Sequence, residues 1–213
     1  VTISSVSYIA LMMSVTNSLQ YVFMCYFKNT DLITIASIVA SCPIALGILL
    51  AKPALKKFSK KQLCTYPFVL SAAASGIAAF TKIHNPYIWI GLMALTMFGS
   101  AFYLTLMWAL VADCIEYQEK TTGRREEGSI YATYSLFRKI AQGLGTGLIS
   151  FAVGLTGYNS KLGATAQAAG VPDKIYFMTG IIPFIGSIIC FLSMYFLFTL
   201  SDKREPQENS FAE

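Results

Sequence analysis

The sequence predicts an all-α membrane protein with six transmembrane helices. Of its 213 residues, 55% are hydrophobic and only 13% are charged, and the mean hydropathy is +0.57. This composition is far more apolar than that of an average soluble domain. The apolar residues fall into six separate runs, each close to or above the roughly 20 residues that a helix needs to cross a bilayer. Composition and run length together therefore favour a helical membrane bundle.

The predicted spans follow one another with short polar interruptions. They cover about residues 5–27, 32–51, 64–81, 87–112, 129–155 and 175–200. The connections are short after the first and third spans, basic after the second, of mixed charge after the fourth (113–128), and polar and rich in Gly and Ala after the fifth. A polar segment, 201–213, closes the chain and is predicted to be a cytoplasmic tail. Residues 1–200 are thus one predicted six-helix unit in the lipid bilayer.

The positions of Lys and Arg predict the orientation. The second and fourth connections and the tail hold ten of these residues, and the connections on the opposite side hold four. Because cytoplasmic loops carry the excess of Lys and Arg, both chain ends are expected in the cytoplasm. This topology accounts for the formal net charge of +5 without a nucleic-acid partner.

No motif indicates an enzyme or a cofactor. The five cysteines lack the spacing of a zinc site. The single histidine, His84, lies in a predicted loop, and no metalloprotease, nucleophile-elbow or P-loop pattern occurs. The chain begins at Val1 with no charged segment ahead of a short apolar run, so no signal peptide is expected. We predict a membrane protein that is not an enzyme and has no resident metal or cofactor.

Two adjacent cations, Arg138 and Lys139, interrupt the fifth span. If that helix starts near Gly128, Lys139 lies about 11 residues, or roughly 16 Å, into it. This depth is close to the midplane of a hydrocarbon core about 30 Å thick. Charged side chains at such depth are costly and usually functional. The alternative is a purely structural ion pair with an acid on a neighbouring helix.

Further polar residues share the helix face of Lys139, and this face is predicted to line a wet cavity. The whole set is Tyr131, Ser135, Lys139, Gln142 and Thr146. Gly143 and Gly147 follow Lys139 at a spacing of four residues, which permits close contact with another helix.

Other spans add candidate ligand residues. Asn17 and Gln20 share a face of the first span, and Tyr103 and Trp108 lie in the fourth. Hydroxyl and amide groups beside aromatic rings suit a sugar, because its hydroxyls need hydrogen bonds and its C–H face stacks on a ring. Such side chains in membrane helices also bond to their own backbone or join neighbouring helices, so both interpretations stay open.

The segment from Ala112 to Lys139 resembles the junction of the tenth and eleventh helices in the glycoside-pentoside-hexuronide:cation symporters. This family belongs to the major facilitator superfamily and includes melibiose permease. The matching elements are an acidic core, a Gly-containing turn and a helix with a lysine: Ala112, Asp113, Glu116, Tyr117 and Glu119; Thr122, Gly123, Arg125, Glu127 and Gly128; and Lys139. The end of the first span, "YFKNTD", and the basic second connection are also similar to the family.

The resemblance implies that the six spans are helices 7–12 of a twelve-helix transporter. It implies cation-coupled sugar symport by alternating access, with Lys139 linking the sugar and cation sites. In the family, the coupling cation (Na⁺, H⁺ or Li⁺) is held chiefly by aspartates of the amino-terminal six helices, which become an expected partner. A bacterial cytoplasmic membrane is the expected location. The family pattern does not require Arg138, whose role stays open.

The charged fourth connection is expected to form a cytoplasmic gate against the other half. The candidate gate residues are Asp113, Glu116, Glu119, Arg124, Arg125, Glu126 and Glu127. The alternative is a solvated loop that obeys the positive-inside rule, although its acids are not needed for topology.

For the whole protein, a sugar or glycoside symporter is the leading hypothesis. A transporter of the same fold for a lipid or another solute is the first alternative, and a non-transporting six-helix membrane component is the second.

Overall fold

The computed structural model describes residues 2–163 and 167–198. This part of the chain forms seven α-helices and no strand, which confirms the all-α prediction. The helices are α1 (Thr2–Tyr21), α2 (Leu32–Leu55), α3 (Lys60–Thr65), α4 (Pro67–Phe80), α5 (Pro86–Thr122), α6 (Glu127–Leu155) and α7 (Val171–Leu192). Helices α1 and α7 continue into π-helical segments, Val22–Tyr26 and Ser193–Leu197, and a 3₁₀ turn, Ser160–Leu162, follows α6. The predicted tail, 201–213, lies outside the described residues.

Helices α3 and α4 together form the third of six spans. Ser59 starts α3 with a capping box, in which its side chain accepts from the Gln62 backbone N–H and the Gln62 side chain accepts from the Ser59 N–H. Pro67 has no backbone N–H and therefore begins a new helical segment after Tyr66. The third span consequently starts at Lys60, four residues before its predicted start.

Helix α5 is longer than predicted. It continues past residue 112 to Thr122, and only Gly123–Glu126 connects it to α6. Gly123 ends the helix with a left-handed backbone (φ 67°), and its N–H donates to the Glu119 carbonyl at 2.9 Å. No Gly or Pro interrupts the sequence between residue 112 and Gly123, so the helix has no reason to stop earlier. Most of the predicted charged connection is therefore helical.

Four segments are long and apolar enough to cross a membrane by length and composition. They are Leu32–Leu55, Lys60–Phe80, Pro86–Thr122 and Val171–Leu197. The two remaining long helices are α1, with five serines, two threonines, Asn17 and Gln20, and α6, with Arg138 and Lys139. The most polar helices of the bundle are thus the two that carry most of the predicted site.

The helices pack in the order α6, α1, α7, α4, α5 and α2. Small residues allow the closest approaches. A Cβ atom on Gly180 of α7 would lie 2.6 Å from the Ala79 Cα of α4, and one on Gly47 of α2 would lie 2.7 Å from the Ala101 Cβ of α5. Larger side chains at these positions would force the helices apart.

Helix α6 packs on the bundle, mainly on α1, through a narrow buried stripe whose ends also contact α5 and α7. The buried residues are Tyr134, Ala141, Gly145, Ile149 and Val153. A Cβ on Gly145 would lie 3.5 Å from the Met13 Cβ, whereas one on Gly143 or Gly147 would meet nothing within 4 Å. In the described part of the chain, Gly145 therefore makes the close contact that the sequence had indicated for Gly143 and Gly147.

Candidate functional site

The two sides of α6 that flank its buried stripe differ in polarity. One side presents six apolar side chains that are 44–70% exposed: Phe137, Ile140, Leu144, Leu148, Phe151 and Leu155. The other side presents Tyr131, Ser135, Lys139, Gln142 and Thr146, all partly or largely exposed. In a membrane, the apolar side is suited to lipid and the polar side is suited to protein or water. The predicted polar face of α6 is thus accessible from outside this bundle.

A second polar surface lies on α1, next to that face. Asn17 is half-buried, Thr16 and Gln20 are exposed, and the Asn17 amide donates to the Met13 carbonyl at 2.9 Å. The Thr146 hydroxyl lies 3.9 Å from the Met13 sulfur and donates to the Gln142 carbonyl at 3.0 Å. Thr146 and Asn17 thus each donate a hydrogen bond within their own helix. Met13 joins the α1 and α6 surfaces.

Trp108 of α5 adds an aromatic ring to the site. The indole is 43% exposed and stacks on Tyr131, with ring centroids 6.2 Å apart and an interplanar angle of 28°. The ring of Tyr134 contacts it edge-on at 5.6 Å. The Arg138 guanidinium carbon lies 5.3 Å from the centroid of the Trp108 ring, within the range of a cation–π interaction. Trp108 therefore connects Tyr131 and Arg138 in one accessible cluster.

A chain of buried hydrogen bonds lies on the inner side of this cluster. The Ser5 and Tyr103 hydroxyls lie 2.7 Å apart, the Ser5 hydroxyl donates to the Tyr134 hydroxyl at 3.1 Å, and that hydroxyl donates to the Met107 sulfur at 3.5 Å. Tyr103 has 0% exposure and contacts Tyr8 ring to ring. The structure thus places Tyr103 behind the accessible surface, where it orients other side chains.

Arg138 and Lys139 lie in different surroundings although they are adjacent. Successive helix residues are separated by about 100° around the axis. Arg138 is half-buried beside Trp108, whereas Lys139 is exposed on the polar side. Within residues 2–163 and 167–198, no carboxylate forms an ion pair with either cation. The structural pairing considered from the sequence is therefore not made inside the described part of this bundle.

Sequence reasoning missed Ser5 and Tyr134. Tyr134 lies one turn before Arg138 on the same stripe, so helical periodicity was a usable signal. Ser5 gave none, because its partners Tyr103 and Tyr134 are 98 and 129 residues away.

The candidate gate residues lie at the end of the bundle where α5 meets α6. Asp113 is partly buried, and both of its carboxylate oxygens accept from the Lys60 ammonium, at 2.8 and 2.9 Å. Because Lys60 begins α3, this ion pair ties the third span to α5. Asp113 thus makes a contact within the bundle.

The remaining gate residues are exposed or nearly so. Arg125 donates to Glu119 at 3.1 Å and also binds Glu127, and Glu116 pairs with Lys120 at 3.0 Å. The hydrogen bond from Lys120, together with its positive charge, lowers the pKa of Glu116. The hydrogen bond and charge of Glu127 raise the pKa of Arg125.

Arg124 and Glu126 complete the set of gate candidates. Both are exposed, and neither side chain forms an ion pair with the residues that the structure describes.

A cavity of about 430 Å³ lies at the opposite end of the bundle. Its lining is aromatic and polar: Tyr26, Phe27, Asn29, Lys82, His84, Pro86 and Asp173. None of the predicted substrate residues belongs to it. Across the described ranges, no group of three or more His, Cys, Asp or Glu side chains is arranged to hold a metal ion.

Comparison with known proteins gives matches along most of the chain. The family described as "MFS/sugar transport protein" matches residues 1–202. A protein of Escherichia coli K12 named for sulfoquinovose import is 35% identical over 162 residues, which cover 76% of this chain and 34% of the relative.

Two more distant relatives have similar coverage. A Salmonella typhimurium protein named for export of 2,3-dihydroxypropane-1-sulfonate is 29% identical over 160 residues, which cover 75% of this chain and 34% of that protein. The glucuronide carrier protein homolog of E. coli K12 is 27% identical over 167 residues, which cover 78% of this chain and 34% of that protein.

The chain thus spans about a third of the length of these relatives. Their names denote import, export or carriage, not catalysis. The family match over residues 1–202, the six-span helical bundle and the symporter-like α5–α6 junction agree with one another. The chain belongs to the sugar transport branch of the major facilitator superfamily, in the family of glycoside-pentoside-hexuronide:cation symporters.

Proposed function

We propose that the chain is the carboxy-terminal half of a secondary transporter that carries a sugar or glycoside together with a cation by alternating access. One observation carries this proposal: the polar side of α6, with Lys139 near mid-helix, is accessible while the other side is apolar. A polar surface at membrane depth needs protein or water opposite it. An amino-terminal six-helix half, with the substrate between the halves, meets that need.

The substrate contacts are proposed for the accessible members of the predicted set. Trp108 and Tyr131 offer ring surfaces to the C–H face of a sugar, and Gln142, Ser135 and Thr146 offer hydrogen bonds to its hydroxyls. Asn17 and Gln20 extend this surface on α1. Tyr103 is fully buried, so it is proposed to support these side chains without contacting the sugar.

The names of the relatives agree with a polyhydroxylated substrate. Sulfoquinovose, 2,3-dihydroxypropane-1-sulfonate and a glucuronide all have several hydroxyl groups, and each also has a sulfonate or carboxylate group. A substrate of this kind needs many hydrogen-bond partners, which the α1 and α6 surfaces supply.

Cation coupling is proposed to depend on Lys139. The carboxylates of the described residues lie in connections, in the first turn of α6 or α7, or in the last three turns of α5, where Asp113 already binds Lys60, so the Na⁺, H⁺ or Li⁺ site is assigned to acids of the other half. Lys139 is exposed on the side that faces this half. There its charge can interact with those acids when the cation is absent. We also propose that both chain ends lie in the cytoplasm of a bacterium, and the distribution of Lys and Arg supports this orientation.

The α5–α6 junction is proposed as the cytoplasmic gate. Arg124 and Glu126 are exposed and available to pair with the other half when the inner side is closed. One exposed pair contributes about 0–1 kcal/mol. Several together can still bias two conformations that differ by a few kcal/mol. The Lys60–Asp113 ion pair is proposed to make α3 and α5 move together during this closure.

Transport by proteoliposomes that contain the full-length transporter tests the proposal. We expect a labelled glycoside to accumulate above its external concentration when an inward Na⁺ or H⁺ gradient is applied. Accumulation should stop when an ionophore dissipates that gradient. Uptake that never exceeds equilibrium under any cation gradient would contradict symport.

Two alternatives have distinguishable outcomes. A lipid transporter of the same fold would bind lysophospholipids in place of glycosides, with the exposed apolar side of α6 as its entry surface. A non-transporting membrane component would bind neither class of solute.

A further inference from the structure

Arg138 has no acceptor for its hydrogen-bond donors in the described part of the chain. A guanidinium has five N–H donors and stays charged in a protein. The Trp108 ring, 5.3 Å away, attracts the charge but supplies no carboxylate oxygen. The seven carboxylates of the described residues lie in the last three turns of α5, in the first turn of α6 or α7, or in connections. An arginine in this position needs an anionic acceptor from outside the described residues.

The surroundings of Arg138 favour an organic anion with hydroxyl groups. Trp108 is 43% and Tyr131 39% exposed, so a ligand can reach both rings. Ser135 and Gln142 lie one turn before and after Arg138 and supply hydroxyl and amide groups. A planar guanidinium binds the two oxygens of a carboxylate or sulfonate in a fixed geometry. The site therefore combines an anion receptor, an aromatic surface and hydrogen-bonding groups on α6 and on Trp108 of α5.

Lys139 is directed differently and is not needed for this site. It lies about 100° around the helix from Arg138, on the exposed polar side and away from Trp108. Two adjacent cations with different surroundings can therefore have separate roles.

We propose that Arg138, held by Trp108, binds the anionic group of the substrate and makes this protein selective for acidic sugars over neutral ones. This inference rests on the proposed function and specifies its substrate class. Tyr134 is a positioning residue for it, because the Ser5–Tyr134–Met107 hydrogen bonds fix the ring that makes a T-shaped contact with Trp108.

Three glycosides that differ only at carbon 6 test the inference. Methyl glucoside has a hydroxymethyl group there, methyl glucuronide a carboxylate and methyl sulfoquinovoside a sulfomethyl group. Binding to the purified full-length transporter is measured by calorimetry. We expect at least one of the acidic glycosides to bind roughly 10- to 100-fold more tightly than the neutral one, as for a charge-assisted hydrogen-bonded pair.

Variants then assign the preference to Arg138. Arg138→Gln should remove the preference by weakening the acidic ligand alone, with the affinity for methyl glucoside changed by less than about threefold. Arg138→Lys should restore part of the preference, because it keeps the charge and loses the planar fork. Lys57→Gln, which removes an exposed charge from the α2–α3 connection, is the matched control and should retain the wild-type preference.

Each outcome has a defined meaning. A wild-type protein that binds the neutral and acidic glycosides equally would overturn the inference, and so would an equal loss for all three ligands in Arg138→Gln. If Arg138→Gln does not fold, the wild-type preference and its size in Arg138→Lys decide. A wild-type protein that binds none of the three would instead contradict the proposed sugar transport.

Discussion

The cations in the middle of α6 and those at the α5–α6 junction have opposite surroundings. At the junction, Lys60 binds Asp113, Lys120 binds Glu116, and Arg125 binds Glu119 and Glu127. In the middle of α6, Arg138 has an aromatic ring beside it and Lys139 is exposed, and neither has a carboxylate partner among the described residues.

The difference separates cations that have carboxylate partners among the described residues from cations that have none. Exposed ion pairs at the junction are solvated, so each contributes little and is easily exchanged. A cation at membrane depth is costly without a partner. The predicted depth of Arg138 and Lys139 therefore supports the proposed ligand or second protein surface, whereas the junction pairs are suited to the proposed gate contact that forms and breaks during transport.

The largest expected effect is that of Lys139→Ala, which should abolish coupled accumulation. The protein should still insert, because the change makes α6 more apolar. Uptake against a gradient in proteoliposomes measures the effect, with the exposed loop residue Lys161 changed to Ala as a control. Wild-type accumulation in Lys139→Ala would remove Lys139 from the coupling mechanism.

Trp108→Leu should weaken substrate binding roughly tenfold, because the ring surface and the cation–π contact are both lost. Equilibrium binding of the preferred glycoside measures the change. Trp89→Phe is the matched control, since Trp89 is buried near the other end of α5 and contacts Phe23 and Phe27. An unchanged affinity in Trp108→Leu would show that the substrate lies elsewhere.

Asp113→Asn should shift the balance between the inward- and outward-open forms more than it changes substrate affinity. The loss of a partly buried ion pair is worth about 1–2 kcal/mol. Cysteines engineered on both sides of the membrane and labelled with an impermeant reagent report the balance. The exchanged pair, Lys60→Asp with Asp113→Lys, should return the labelling toward wild type, and identical labelling in all variants would contradict the gate.

Arg125→Gln should shift the balance between the inward- and outward-open forms to a smaller degree. Arg125 binds two carboxylates, but its side chain is 59% exposed, so water replaces much of what is lost. The same labelling assay applies. A shift larger than that of Asp113→Asn would reverse the expected order between the partly buried and the exposed pairs.

The smallest expected effect is the pH dependence of the Glu116–Lys120 pair. Because the pKa of Glu116 is lowered in the folded protein, the stabilisation is present above the ordinary glutamate pKa. It is lost as the pH falls through the lowered value. The protection factors of the amides near Thr122, which correct for the intrinsic exchange rate at each pH, should therefore fall only in acid. Glu116→Gln should show no such acid-dependent step.

Much of this protein follows from local sequence. The six spans, the polar side of α6 and the predicted depth of Lys139 depend on apolar run length and helical periodicity, which are set by neighbouring residues. The symporter-like junction is likewise a continuous segment. Each of these predictions needed only the residues of one continuous stretch of the chain.

The contacts between helices came only with the tertiary structure. Periodicity gives the side of a helix on which a residue lies but not the helix packed against that side. The sequence therefore did not show that Arg138 lies over Trp108, that Ser5 binds Tyr103 and Tyr134, or that Lys60 binds Asp113. It also did not distinguish Gly145 from Gly143 and Gly147. These pairings join residues 30 to 129 positions apart, and only the packing of the folded bundle brings them together.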